Sequence, residues 1–156
     1  MDCGAEYILM CEKAKEIQDI WHNATLRMLP SILYDKEIDR VVICIWTPKT
    51  LANRLGITGN SIRVSIESTR DMSHFTPEAD IPYDTLVWLP RQDQLQEMVE
   101  YPDLGSILRD VREFWMLNSS YHPIDFTSME QLWLAFVMKE KFDKVWNGEG
   151  WEGGKK

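Results

Sequence analysis

No CxxC pair, no Gly-rich phosphate loop, no GxSxG and no paired-Gly dinucleotide fingerprint occurs along these 156 residues. Each of those patterns places particular groups for particular chemistry, so their absence removes the recognisable zinc, phosphate, acyl-transfer and dinucleotide sites. The three histidines, His22, His74 and His122, are scattered and have no HxxxH or HxxE spacing that would converge on a metal. Neither a metal nor another cofactor is expected. Long apolar runs are missing too: none approaches the roughly 18 residues that a membrane helix requires, so no membrane segment is expected. The three cysteines, Cys3, Cys11 and Cys44, cannot all pair with one another, and no secretory signal is evident. That combination reads as a reducing, cytoplasmic setting. Cys11 and Cys44 lie among apolar residues and read as small core side chains. Nothing beside Cys3 in sequence would lower its pKa.

Positive charge is also scarce. Seventeen basic residues against 25 acidic ones give a net charge of −8. Nucleic-acid binding draws its affinity from phosphate neutralisation by Lys and Arg, so the balance argues against such a partner. Imitation of DNA would need carboxylates spaced like phosphates on one face; the simpler reading of the acidity is solubility.

Large side chains are plentiful by contrast. Seven Trp, five Tyr, five Phe and eight Met supply bulky rings for a core and a surplus for a binding surface. The spacing of Tyr7, Met10, Cys11, Ala14, Ile17 and Trp21 predicts one helix over residues 5–22. Residues 26–34 are apolar but interrupted by Pro30, which reads as an edge strand or none. Val41 to Trp46 is an unbroken run suited to a strand covered on both faces. Residues 61–67 alternate, with Ile62, Val64 and Ile66 on one face, as a half-buried strand does. Residues 68–84 read as a long loop, and Leu86 to Leu89 as a short strand.

The remainder is helical. A short helix is expected over 90–100 with Pro90 at its first position. A second begins after Asp103 and carries Leu104, Ile107, Leu108, Val111, Phe114 and Trp115. A third follows a loop and opens on Thr127-Ser128-Met129-Glu130, a capping box in which Thr127 and Glu130 satisfy each other's backbone N–H groups. Its apolar residues run to Trp146, with a stop near Gly148. Lys139, Lys141 and Lys144 suit the negative end of the helix dipole. The whole is an α+β domain over residues 1–148, an antiparallel sheet of about three or four strands packed with an N-terminal helix and three C-terminal ones. Residues 149–156 read as a flexible Gly-rich tail.

Candidate functional residues follow from the aromatics. Trp88 with Arg91 has the composition of an interaction hot spot, Asp93 lies beside them, and Trp151 lies beyond the last expected helix. Asp93 and Glu97 share a helix face, but their setting among Gln92, Gln94 and Gln96 reads as solvated. A second reading rests on Thr50 to Thr58 with Ile62, which resembles the core of a helix-turn-helix within residues 47–67. It would make the chain a DNA-binding regulator, although the strand-like alternation at 61–67 opposes it. A third reading is a small enzyme with its site built from the loops 68–84 and 118–126.

Two long stretches carry a family resemblance. Trp88 to Met98 (WLPRQDQLQEM) and Thr127 to Lys141 (TSMEQLWLAFVMKEK) resemble those of small uncharacterised proteins encoded by phages and prophages of Gram-positive bacteria. Cys11 to Gln18 and Lys144 to Gly148 fit the same pattern. The resemblance implies a mobile-element origin and assigns no residue a role. It favours an accessory protein, most simply a non-enzymatic interaction module with a protein partner, a homodimer being compatible with it.

Overall fold

The expected first helix is divided at Ala14. In the computed structural model α1 spans Ala5–Lys13 and α2 spans Lys15–His22. Ala14 leaves the helical region at φ −82°, ψ 70°, and its N–H is shared between the carbonyls of Met10 and Cys11. Alanine is the best helix former, so local propensity does not make this break. Instead the two halves bury their apolar stripes in different surroundings. Tyr7, Met10 and Cys11 of α1 and Ile17 and Trp21 of α2 are all buried, as the spacing predicts.

Residues 2–23, 31–37, 39–44, 61–64, 79–82, 85–121 and 125–153 are described by the structure. The chain is α+β, with five helices and seven strands among the described residues. Where the sequence reads as one domain over 1–148, the chain divides into two compact units. One comprises Lys15–Pro90; the other is built from Met1–Ala14 and Arg91–Lys156.

In the unit Lys15–Pro90, β1 (Ser31–Asp35) lies between β2 (Arg40–Cys44) and β5 (Leu86–Leu89), antiparallel to both. The edge position expected from Pro30 is therefore corrected. The strand begins one residue after the proline in sequence, and every residue from Ser31 on has an N–H to give the ladder. The β1–β2 turn is held by side chains. Asp35 Oδ1 accepts the Glu37 N–H at 2.9 Å, and Tyr34 donates its hydroxyl to Asp39 Oδ1 at 2.6 Å. Asp39 takes the left-handed φ of 50° that Asp tolerates better than most residues.

All four residues of β5 are buried. Leu33 faces Trp88 across the β1–β5 ladder, and the backbone groups of Trp88 turn outward to the side chain of Gln18 on α2. The Trp88 N–H donates to Gln18 Oε1 at 2.8 Å, and Gln18 Nε2 donates to the Trp88 carbonyl at 3.0 Å. One glutamine side chain thus does for this edge what a further strand would do.

Strand β3 (Ser61–Val64) pairs antiparallel with β4 (Ala79–Pro82) as a separate two-stranded sheet. Residues 79–82, expected within a loop, are therefore strand. Pro82 argued against that reading, yet it sits opposite Ser61 at the end of the ladder, where a missing N–H matters least. Among the described residues, three small sheets stand where the sequence led to the expectation of a single one.

In the second unit, α3 (Gln92–Gln96) is shorter than expected and begins after Pro90, with the Arg91 N–H capped by Gln94 Oε1 at 2.9 Å. Helix α4 spans Leu104–Tyr121 and α5 Met129–Phe142. The expected cap of α5 shifts by one residue. Ser128, not Thr127, is the N-cap, and its Oγ accepts the Gln131 N–H at 3.1 Å. Helix α5 is nearly all core: Trp133, Leu134, Ala135, Phe136, Val137 and Met138 are buried. Phe136 is the hub of an aromatic cluster, with ring centroids 5.7 Å from Trp133, 5.7 Å from Phe114 and 6.2 Å from Tyr101.

The helical reading through Trp146 and the flexible tail beyond it are both corrected. Helix α5 stops at Phe142 because Asp143 turns left-handed at φ 51°, a usual helix ending. Lys144–Trp146 then forms β6, and Trp151–Gly153 returns as β7. The turn is set by Asn147, whose Oδ1 accepts the N–H groups of Glu149 and Gly150 at 2.9 and 2.8 Å. Gly148 supplies the φ of +96° that the turn needs. The rings of Trp146 and Trp151 lie 5.0 Å apart. Trp146 Nε1 donates to Glu6 at 2.9 Å and Trp151 Nε1 donates to the Met10 carbonyl at 2.9 Å, so two indoles fasten the hairpin to α1.

Candidate functional site

Of the four residues singled out from sequence, Arg91 and Asp93 come together. Arg91 Nε and a terminal nitrogen donate to the two Asp93 carboxylate oxygens at 3.0 and 2.8 Å. That bidentate pair holds the Asp93 carboxyl below its ordinary range and leaves Arg91 committed at the start of α3. Trp88 is wholly buried in β5 and belongs to the other unit. Trp151 is half-buried against Trp146 and tied to α1, which a flexible tail would not allow. The hot spot expected from Trp88 and Arg91 is therefore not formed by those residues as a free surface.

The densest polar cluster lies where Asp2 meets the start of α5. Asp2 Oδ2 accepts the Ser128 hydroxyl at 2.6 Å and Gln131 Nε2 at 2.8 Å, while Oδ1 accepts the Gly4 N–H at 2.8 Å. Burial alone would raise this carboxyl, but the bonds from Ser128, Gly4 and Gln131 together lower it. A serine donating to a carboxylate invites comparison with an activated nucleophile. Here the Ser128 oxygen is already the cap of α5, and Gln131 Oε1 accepts the Thr127 N–H at 3.0 Å, so the cluster closes on itself as a clasp between chain segments. Because the folded pKa is depressed, the stabilisation from Asp2 is present above its unfolded pKa of about 3.9 and is lost as pH falls through the lower folded value. Asp2→Asn should cost at most about 1 kcal/mol at neutral pH, given the partial exposure of the carboxylate. It should also flatten the stability profile below pH about 4, as thermal melts across pH would reveal. Equal acid sensitivity of wild type and variant would contradict the clasp.

Neither Cys3 nor Cys11 is shifted toward its thiolate form. Burial drives the Cys11 thiol well above its usual value, and burial together with Asp2 raises Cys3. Among the described residues no cluster of three or more His, Cys, Asp or Glu could hold a metal, and no helix is long and apolar enough to cross a membrane. Residues 45–60 and 65–67 of the helix-turn-helix-like segment lie outside the described residues. Within it, Ser61–Val64 is strand, so Ile62 does not lie on a recognition helix. Within the two loops considered for an enzyme site, residues 68–78, 83–84 and 122–124 also lie outside. The rest gives β4, the end of α4 and the residues leading into α5.

One surface stands out instead. Leu104, Leu108, Trp115, Met116 and Leu117 on α4 are exposed, Leu104 by 72%, Leu108 by 54% and Trp115 by 49%. One flank of the same helix is anchored: Val111 is buried, and the Phe114 ring stacks on Phe126 at 6.3 Å besides meeting Phe136. The helix is oriented by an Asp103 cap, whose carboxylate accepts the Ser106 N–H and hydroxyl at 2.9 and 2.8 Å. At 3.6 residues per turn, Leu104, Leu108, Val111 and Trp115 fall on one stripe, with Arg112 exposed along its edge. Trp115 and Arg112 are both exposed on this helix.

The sequence placed Leu104, Leu108 and Trp115 on this helix without showing that they are exposed, because periodicity shows which residues share a face but not whether anything covers it. A signal was available. The apolar residues from Phe114 round to Leu108 span about 120°, with Met116 and Leu117 beyond, wider than one neighbouring surface needs. No protein-family model, curated protein or solved structure matches the chain.

Proposed function

We propose that this chain is a non-enzymatic interaction module that binds a protein partner along α4. What carries the proposal is the concentration of exposed apolar surface. Of six large apolar side chains exposed among the described residues, five lie on α4 and only Met129 lies elsewhere. Burying a Leu or Trp side chain is worth about 1.5–3 kcal/mol, so a stripe of them left in water is a standing drive for association. The raised thiols and self-satisfied polar clusters supply no competing chemistry. The resemblance of WLPRQDQLQEM and TSMEQLWLAFVMKEK to phage and prophage proteins supports an accessory role for such a module.

The test compares wild type with the double variant Leu108→Ser, Trp115→Ser, whose changes on exposed positions should shift folding stability by about 0.5 kcal/mol each. A photo-crosslinking residue placed at 112 in bacterial cells should give one dominant protein adduct with the otherwise wild-type chain and none with the double variant. Adducts of equal yield from both, or none from either, would sink the proposal.

A further inference from the structure

We infer that the ligand of α4 is an amphipathic helix of another protein, with carboxylates flanking its apolar stripe, and not a second copy of this chain. The inference rests on α4 being the docking face. Leu104, Leu108 and Trp115 are exposed four and seven residues apart, and Val111, at the heptad position between Leu108 and Trp115, is already buried. That is the heptad spacing by which one helix receives another along its length, as in helix-in-groove recognition.

The two flanks of the stripe differ. On one side Ile107 and Phe114 are half-buried, and Phe114 is engaged by Phe126 and Phe136, so the body of the unit occupies that flank. On the other side Arg112 is exposed about 60° from the stripe's centre, with Arg109 further round. Arg109 already pairs with Asp110 at 3.2 Å, and Arg112 is the exposed cation beside Leu108 and Trp115, while the exposed Glu113 lies further round, between Met116 and Leu117. An incoming helix must therefore lie over the stripe on the Arg112 side, and carboxylates on its near flank meet that guanidinium in bidentate geometry.

A second copy fits this arrangement poorly. Antiparallel self-pairing about a two-fold axis sets each flank against itself, which brings Arg112 beside Arg112 of the other copy. Parallel pairing sets the Arg112 flank against the flank that the body occupies. The net charge of −8 opposes a copy and an acidic helix alike. Beyond about 8–10 Å it is screened at physiological salt, so the local guanidinium decides.

Two fluorescein-labelled synthetic helical peptides test this against the full chain by anisotropy. They share leucines at heptad positions a and d and differ in carrying Glu or Lys at e and g. The Glu peptide should bind about fivefold tighter, with the gap closing at about 0.5 M salt. Arg112→Glu should reverse the order, and Leu108→Ser with Trp115→Ser should abolish binding of both. Equal affinity for the two peptides, or preference for Lys, overturns the carboxylate inference while leaving α4 as the docking face. Binding untouched by the double variant overturns the docking face itself. A concentration-dependent doubling of mass by sedimentation, lost in the double variant, overturns the inference in favour of a second copy.

Discussion

Replacing Phe136 with alanine is expected to destabilise the unit containing α4 and α5 by about 3–5 kcal/mol. The ring is buried to 1% and meets Trp133 edge-on at 88°, Phe114 edge-on at 69° and Tyr101 in a tilted contact. Removing it takes away its own burial and leaves three other rings facing a void too apolar for water to fill. Aromatic pairs add about 0.5–1.5 kcal/mol each to simple area burial, which pushes the loss to the upper part of that range. Amide exchange along α5 should accelerate by about a hundredfold or more, because each 1.4 kcal/mol is worth tenfold in an opening equilibrium. Phe136→Leu, which keeps most of the volume, should lose less than half as much. Equal protection in the alanine variant and wild type would mean that the cluster does not hold these helices together.

Gln18→Leu is the second change with a large expected effect. The leucine keeps the bulk and apolar stem but leaves the Trp88 N–H and carbonyl without the amide that satisfies them. Two part-buried backbone groups orphaned together should cost about 2–4 kcal/mol. The loss should appear first as rapid exchange of the Trp88 amide. Gln18→Glu separates the two halves, since a carboxylate accepts from the N–H but gives nothing to the carbonyl, and its stability should fall between leucine and wild type. A leucine variant as stable as wild type would show that the edge of β5 needs no partner.

The core was legible because periodicity reports it directly. Tyr7, Met10, Ile17 and Trp21 are buried as their spacing predicts; Leu86 to Leu89 form the strand expected of them, but the burial of Trp88 was not foreseen where it was offered as a surface residue. The mixed α+β character was legible for the same reason. Three features were not, and each depends on something outside its own segment. The break at Ala14 runs against alanine's propensity and falls at the boundary between the two units. Hairpin β6–β7 hides in a glycine-rich stretch because its fastening comes from indole bonds to Glu6 and Met10, more than a hundred residues earlier. The start of α5 misled by one position because Thr127, Ser128, Glu130 and Gln131 offer overlapping caps, and Asp2 selects among them by bonding Ser128 and Gln131. The exposed face of α4 was half visible: its stripe could be read, its lack of cover could not.

The unit holding α1 is discontinuous, with Lys15–Pro90 threaded between its two segments. Such a layout imposes an order on synthesis. The inserted stretch is complete and free to fold while α5, Trp146 and Trp151 have yet to leave the ribosome. Throughout that interval Tyr7, Met10 and Cys11 wait with their destination still unmade, and the hairpin β6–β7, made long after α1, is the latch that closes over it.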